Sequence, residues 1–249
     1  MKGPFRTLLL CGLIGLGIVL PARSAGLVAD LSSHLVAITS GFAGVDVLLF
    51  GAIEEPGDVI VVVRGPERAQ PVHRKSNVAG IWMNTAQVTF QSAPVFYFIA
   101  ANRPLEEIAD ASVLRANNFG IDHLQLGFPA ARAGGRAAEE WRQALIRNKQ
   151  RAGLYVREPA GVAVLSQRLF RTSVHLPSNV PPGLYRAETY VLQDGQIVAA
   201  QTTPLSISKL GLEADLFAFA HEAPAAYGAI AVLAALMAGW LAHLLFRRS

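Results

Sequence analysis

"GLYRAETYVLQDGQIVAAQTTPLSIS", Gly183 to Ser208, reads as two alternating runs joined at Asp194-Gly195. An Asp-Gly pair in that setting is a strong hairpin signal. A two-residue primed turn needs positive φ, which Gly adopts at no steric cost and Asp tolerates. Similar runs recur along the chain. "LVAITS", "VDVLLFGAI", "DVIVVVRGP", "QVTFQ" and "VFYFIAA" lie upstream, with "LYVRE" and "VAVLSQRLFRTSVHLP" nearer the hairpin. They are rich in Val, Ile and Phe, and many are bounded by Gly, Pro or Asp. A spacing of about 10 to 14 residues between the upstream runs predicts antiparallel pairing rather than strand–helix–strand crossovers.

Immediately before the hairpin, "PSNVPPGLY" places Pro181, Pro182 and Gly183 at a strand entry, followed by Tyr185. Immunoglobulin-like sandwiches use such an entry, with the tyrosine hydroxyl bonding back to the corner; the alternative is a tyrosine that only packs in its strand. The period changes between Arg103 and Ala152. "RPLEEIADASVLRANN" has Pro104 at a helix start, acids in its first turn, and Leu105, Ile108, Ala109 and Ser112 able to share a face. A second helix is predicted from Arg136 to Arg151, ended by Gly153, with Ala138, Trp141, Leu145 and Ala152 as its apolar stripe. Trp141 reads as a packing residue. Trp82, in "GIWMN", also reads as a core residue, an exposed aromatic contact being the alternative.

The two ends read differently from the middle. Gly228 to Phe246 is nineteen residues without a formal charge. As a helix it spans roughly 28 Å, close to the hydrocarbon core of a bilayer. Tyr227 stands where an interfacial anchor belongs. At the other end Lys2 and Arg6 precede the apolar run Leu8 to Leu20, then Pro21 and small residues. That is the layout of a secretory signal peptide cleaved after Ser24, with an uncleaved anchor as the alternative. Arg247 and Arg248 close the tail, and no Lys or Arg lies between Lys209 and them. By the positive-inside rule the tail is cytoplasmic and the bulk of the chain is exported.

The basic sequence pI is then a consequence of topology. Five of the 22 Lys and Arg lie in the leader or after the span, leaving 17 against 18 acids in the rest. Nucleic-acid binding loses its electrostatic support, and no basic stripe restores it. Cys11, the only cysteine, would leave with the leader, and with it any disulfide or thiolate chemistry. No nucleophile elbow, zinc-protease helix, dinucleotide loop or phosphate loop occurs. None of the histidines (His34, His73, His123, His175, His221, His243) has another within eight residues. Asp122-His123, placed in a strand, would point to opposite faces. Glu54-Glu55, Glu106-Glu107 and Glu139-Glu140 sit at turns or helix starts. No catalytic, cofactor-binding or metal-ligating residue is assigned, and no cofactor is expected.

"LVADLSSHLVAITSGFAGVDVLLFGA", "VVVRGPE", "AGIWMN", "NKQRAGLYV" and "LPSNVPPGLYRAETYVLQDGQIVA", followed by one C-terminal span, resemble the alphaproteobacterial "putative transmembrane protein" family. The resemblance implies a topology and, through frequent neighbouring genes, an association with sulfite-exporter-like permeases. It implies no activity.

The expected protein is mostly β with a helical insert: an immunoglobulin-like antiparallel β-sandwich outside the membrane and one C-terminal transmembrane helix. Its parts are a signal peptide (1–24), a β-sandwich region (25–102), the helical insert (103–152) and a second β region (153–211). A juxtamembrane segment (212–226), the span (227–246) and a cytoplasmic tail (247–249) follow. The expected location is the bacterial inner membrane, with the bulk periplasmic. The expected role is a protein-interaction or accessory module with a membrane or periplasmic protein partner. A small-molecule or metal sensor and an enzyme are the alternatives.

Overall fold

The computed structural model describes residues 26–129, 135–209 and 219–246. Its strands are β1 (Leu27–Leu31), β2 (Leu35–Ile38), β3 (Gly44–Ile53), β4 (Asp58–Arg64), β5 (Glu67–Val78), β6 (Ile81–Pro94) and β7 (Tyr97–Ala101), then β8 (Ala160–Gly161), β9 (Ala163–Leu165), β10 (Leu169–Pro177), β11 (Gly183–Gln193) and β12 (Gln196–Lys209). The helices are α1 (Leu105–Ile108), α2 (Ala111–Ala116), α3 (Gly135–Arg151) and α4 (Pro224–Phe246). The protein is mostly β, with one apolar helix near its C-terminus.

A four-stranded sheet has the order β1-β3-β10-β9, and a six-stranded sheet the order β2-β12-β11-β4-β7-β8. Leu49, Phe170 and Val174 from the first sheet and Ile60, Tyr185 and Val191 from the second lie in one buried cluster. Every residue from Val59 to Val63 is fully buried, so β4 is covered on both faces. That explains its unbroken Val/Ile run, where a half-exposed strand would alternate. Leu105, Ile108, Leu114 and Phe119 of the insert join the same cluster, and Phe119 meets Tyr190 edge-on at 4.9 Å.

The turn predicted at Asp194-Gly195 is present. Gln193 pairs with Gln196, and the two residues between them have φ of 48° and 77°, the primed geometry that suits strand twist. The Tyr185 hydroxyl donates to Pro181 O at 2.6 Å, so the corner bond is made. Gly153 ends α3 with φ of 69°, and Leu154 N closes on Lys149 O at 2.9 Å.

Several expectations need correction. The six-stranded sheet is mixed, because β2 pairs parallel to β12 and β8 parallel to β7. The helix expected from Pro104 onward is broken at Ala109, whose backbone is extended. Leu105 and Leu114 are nine residues apart, about 180° on a continuous helix, yet both are buried. The break lets both face the core. "LYVRE" contributes only an isolated bridge between Tyr97 and Tyr155. "QVTFQ" is part of the 14-residue β6, whose 12-residue partner β5 is too polar to show a strand pattern. The expected leader (1–24), residues 210–218 and the terminal arginines lie outside the described residues.

Candidate interaction surface

Strands β1, β3 and β10 alternate between core and solvent, and their inward residues include Ala29, Leu31, Val47, Leu49 and Phe170. The outward positions of a solvated antiparallel sheet are ordinarily polar. Here Val28 lies opposite Ala52, Ala52 opposite Leu169, and Leu169 opposite Leu165, giving an apolar row across all four strands. Phe50 and Leu48 follow along β3 on the same face, Phe50 between Asp30 and Arg171 and Leu48 opposite Ser173. Val28 is 68% exposed, Leu169 55% and Phe50 42%. Asp46 and His175, 2.8 Å apart, lie at the far end of that face. Gly51 sits beneath the patch, where an added Cβ would come within 2.5 Å of the Phe170 ring.

The connection between neighbouring strands β4 and β7 is drawn out into a long hairpin, β5–β6. Gly65 N donates to Phe96 O and Val95 N to Pro66 O, both at 3.0 Å, carrying the pairing through the bend at its base. A second core supports the lower hairpin: Val72, Val88, Phe90 and Ala93 from the strands with Trp141 and Leu145 from α3. Trp141 is therefore a packing residue, as its spacing implied. Arg74 lies over its ring at 4.9 Å and reaches Glu140 at 3.2 Å. Beyond Val72 and Val88 the hairpin is exposed except for the half-buried Ser76. It turns at Ala79 (φ 52°) and Gly80 (φ 86°). Trp82 is 68% exposed, which corrects its reading as a core residue; it sits at the hairpin tip, away from any layer that could cover it.

The titratable groups are arranged for bracing. Arg64 pairs with Glu188, and its Nη2 donates to Asn117 O at 2.7 Å. The Tyr190 hydroxyl donates to Glu188 at 3.1 Å. Tyr97 Oη accepts from Gly120 N at 2.9 Å and donates to Asn118 O at 2.8 Å. This network ties the loop after α2 to the six-stranded sheet. Burial pushes the Tyr97 and Tyr190 phenols above the ordinary tyrosine value. Burial alone would raise the Asp58 carboxyl, but bonds from Arg103 and Asn102 and the charge of Arg103 hold it lower than usual.

His34 bonds Asp30 at 2.8 Å on the surface. Asp122 and His123 lie in a turn rather than a strand, so the alternation argument does not apply to them. His123 lines an open cavity of about 470 Å³ with Arg103, Glu106, Arg157 and Glu158. Glu106 and Glu107 occupy the first turn of α1, and Glu139 pairs with Arg142 at 3.4 Å within α3. Among the described residues no group of three His, Cys, Asp or Glu is placed to hold a metal ion.

Among the described residues one helix, α4, is long and apolar enough to cross a membrane, and the window Pro224–Leu241 has no residue buried inside the protein. A family model described as "Putative transmembrane protein (Alph_Pro_TM)" matches residues 26–248. The chain belongs to this family. No curated protein matches it. The match begins one residue before β1 and runs past the end of α4, so sheets, hairpin and candidate span together form the family's unit. Of the stretches that carried the resemblance, "AGIWMN" is the tip of the β5–β6 hairpin. "LPSNVPPGLYRAETYVLQDGQIVA" is the tyrosine corner with the β11–β12 turn. Sequence patterns missed the sheet row and offered an exposed Trp82 at the hairpin tip only as the alternative. The sheet row is assembled from four separate strands, and the hairpin tip adjoins a polar strand.

Proposed function

We propose that this chain is an exported docking module, tethered to the inner membrane by α4, that binds a protein partner in the same membrane. The observation that carries the reading is the outward row Val28, Ala52, Leu169 and Leu165 with Phe50 beside it. An exposed apolar row on a solvated sheet face, here rimmed by Asp30 and Arg171, is a mark of an interaction site. The exported part is an immunoglobulin-like sandwich in this reading, supported by the shared core, the tyrosine corner and the primed hairpin. The bulk is periplasmic and the C-terminus cytoplasmic, supported by Arg247 and Arg248 and the lack of basic residues between Lys209 and them. A secretory leader over residues 1–24 agrees with that orientation. The module carries no catalysis of its own. The family resemblance makes a sulfite-exporter-like permease the first partner to test.

The experiment uses the full chain in native membranes. A photo-crosslinking residue at Leu169 should trap the permease, and Leu169→Glu with Phe50→Glu should abolish its co-purification while leaving the melting transition unchanged. Undiminished co-purification of the permease with the double variant would refute this face as the docking site. Orientation is read separately: a reporter active only in the periplasm should work when fused after Lys209 and fail after Ser249.

A further inference from the structure

The sheet row leaves the hairpin tip unexplained. Val78 is 47% exposed, Ile81 68%, Trp82 68% and Met83 50%. Val78 lies opposite Ile81, and Met83 lies opposite Ser76, so these three apolar side chains share one face of the ribbon. Trp82, opposite Asn77, is on the other face. A tip apolar on both faces fits a medium that surrounds it.

We propose that the β5–β6 tip is a second membrane contact, entering the interfacial layer of an anionic bilayer. The proposal rests on the membrane-tethered reading above. Its charge pattern fits a negative surface: residues 68–94 include Arg68, Arg74 and Lys75 and no acid. Arg74 is engaged by Glu140 and Trp141, and Arg68 donates to Pro182 O. Lys75, exposed, is the cation nearest the tip. Three residues of strand place it about 10 Å below Val78. Interfacial elements bury apolar groups by roughly 5–10 Å, so Lys75 falls at headgroup depth when the tip is seated.

Other details of the tip agree. The ribbon beyond Val72 is six residues long to the turn, about 20 Å of reach. Gly80 N donates to Asn77 Oδ1 at 2.8 Å, which meets the need of one turn amide for a partner as water thins out. The indole of Trp82 suits the headgroup boundary, where one part of the ring is apolar and the N–H stays wet. Tethering by α4 holds the hairpin at high effective concentration over the bilayer, so weak insertion suffices.

The test uses the full chain carrying Cys11→Ser and Ile81→Cys, labelled at the single introduced thiol with an environment-sensitive nitrobenzoxadiazole and placed one copy per lipid nanodisc. With discs containing phosphatidylglycerol, emission from the tip probe should shift to the blue, and shallow nitroxide lipids should quench it more than deep ones. The same probe introduced by Glu158→Cys in place of Ile81→Cys should report water. Lys75→Gln should lower the inserted-to-free ratio about fivefold, the effect of one basic charge near such a surface. An aqueous spectrum from the tip probe in singly occupied discs overturns the proposal. So does a shift that appears only in discs holding two copies, which would assign the tip to self-contact. Retention in the discs reports the α4 anchor independently. A chain that leaves them overturns the tethered reading and this proposal with it.

Discussion

Substituting Tyr185 by Phe tests whether the corner is held by a hydrogen bond or by ring packing alone. The Tyr185 ring has no exposed surface, lies 5.8 Å from Phe96 between centroids, and its hydroxyl donates to Pro181 O at 2.6 Å. Phenylalanine keeps the ring and removes only the donor. A typical intramolecular hydrogen bond contributes about 1 kcal/mol net, and a stranded acceptor adds up to a few more. Pro181 is half-buried, so its carbonyl regains some water. The expected loss is about 1–2 kcal/mol. With a urea slope of about 2 kcal/mol/M, the midpoint should fall by about 0.5–1 M. Near-UV circular dichroism of the detergent-solubilised full chain follows the transition. Tyr185→Ala, which also empties the ring site, should cost about 3–5 kcal/mol. If Tyr185→Phe leaves the midpoint unmoved while Tyr185→Ala collapses the fold, the corner bond contributes nothing and the reasoning from its geometry is wrong.

Gly195→Val should destabilise by about 1–3 kcal/mol, because a β-branched residue is forced to positive φ; unchanged protease resistance would refute the tight-turn assignment. Trp141→Ala should cost about 3–5 kcal/mol and should raise proteolytic cleavage within residues 67–94 more than elsewhere, since Trp141 links α3 to the hairpin core; uniform cleavage would show that the two cores unfold together. Alkaline pH should unfold the chain. Burial raises the phenols of Tyr97, Tyr155, Tyr185 and Tyr190 above 10, so the folded state holds these protons more tightly than the unfolded one. That stabilisation is complete below pH 10 and is lost as pH rises above it, by up to about 1.4 kcal/mol per pH unit for each fully buried tyrosine. Burial of Lys149 lowers its ammonium and opposes this by one group against four. A melting midpoint that stays flat from pH 9.5 to 11.5 would refute the burial of these phenols.

The features legible from sequence are those whose cause is local. Asp194-Gly195 announces its turn because positive φ selects those residues, and α3 announces itself through Trp141 and Leu145 on one face and Gly153 at its end. The charge-free run at the C-terminus specifies a candidate span through length alone. Where the pattern is not local, it misleads. β5 reads as loop because His73, Arg74, Lys75, Ser76 and Asn77 carry no strand signature, and it is a strand because β6 pairs with it. The segment after Pro104 has the period of one helix, yet Leu105 and Leu114 can both reach the core only if the helix breaks between them. Trp82 looks like a core residue by type and is exposed because the hairpin carries it beyond every packed layer. The row of Val28, Ala52, Leu169 and Leu165 is invisible along the chain, since each strand supplies one member and only sheet register sets them side by side. Residue type and local period therefore determined the turns, the long helices and the candidate span. Long-range pairing decided which apolar residues are buried and which are left on the surface.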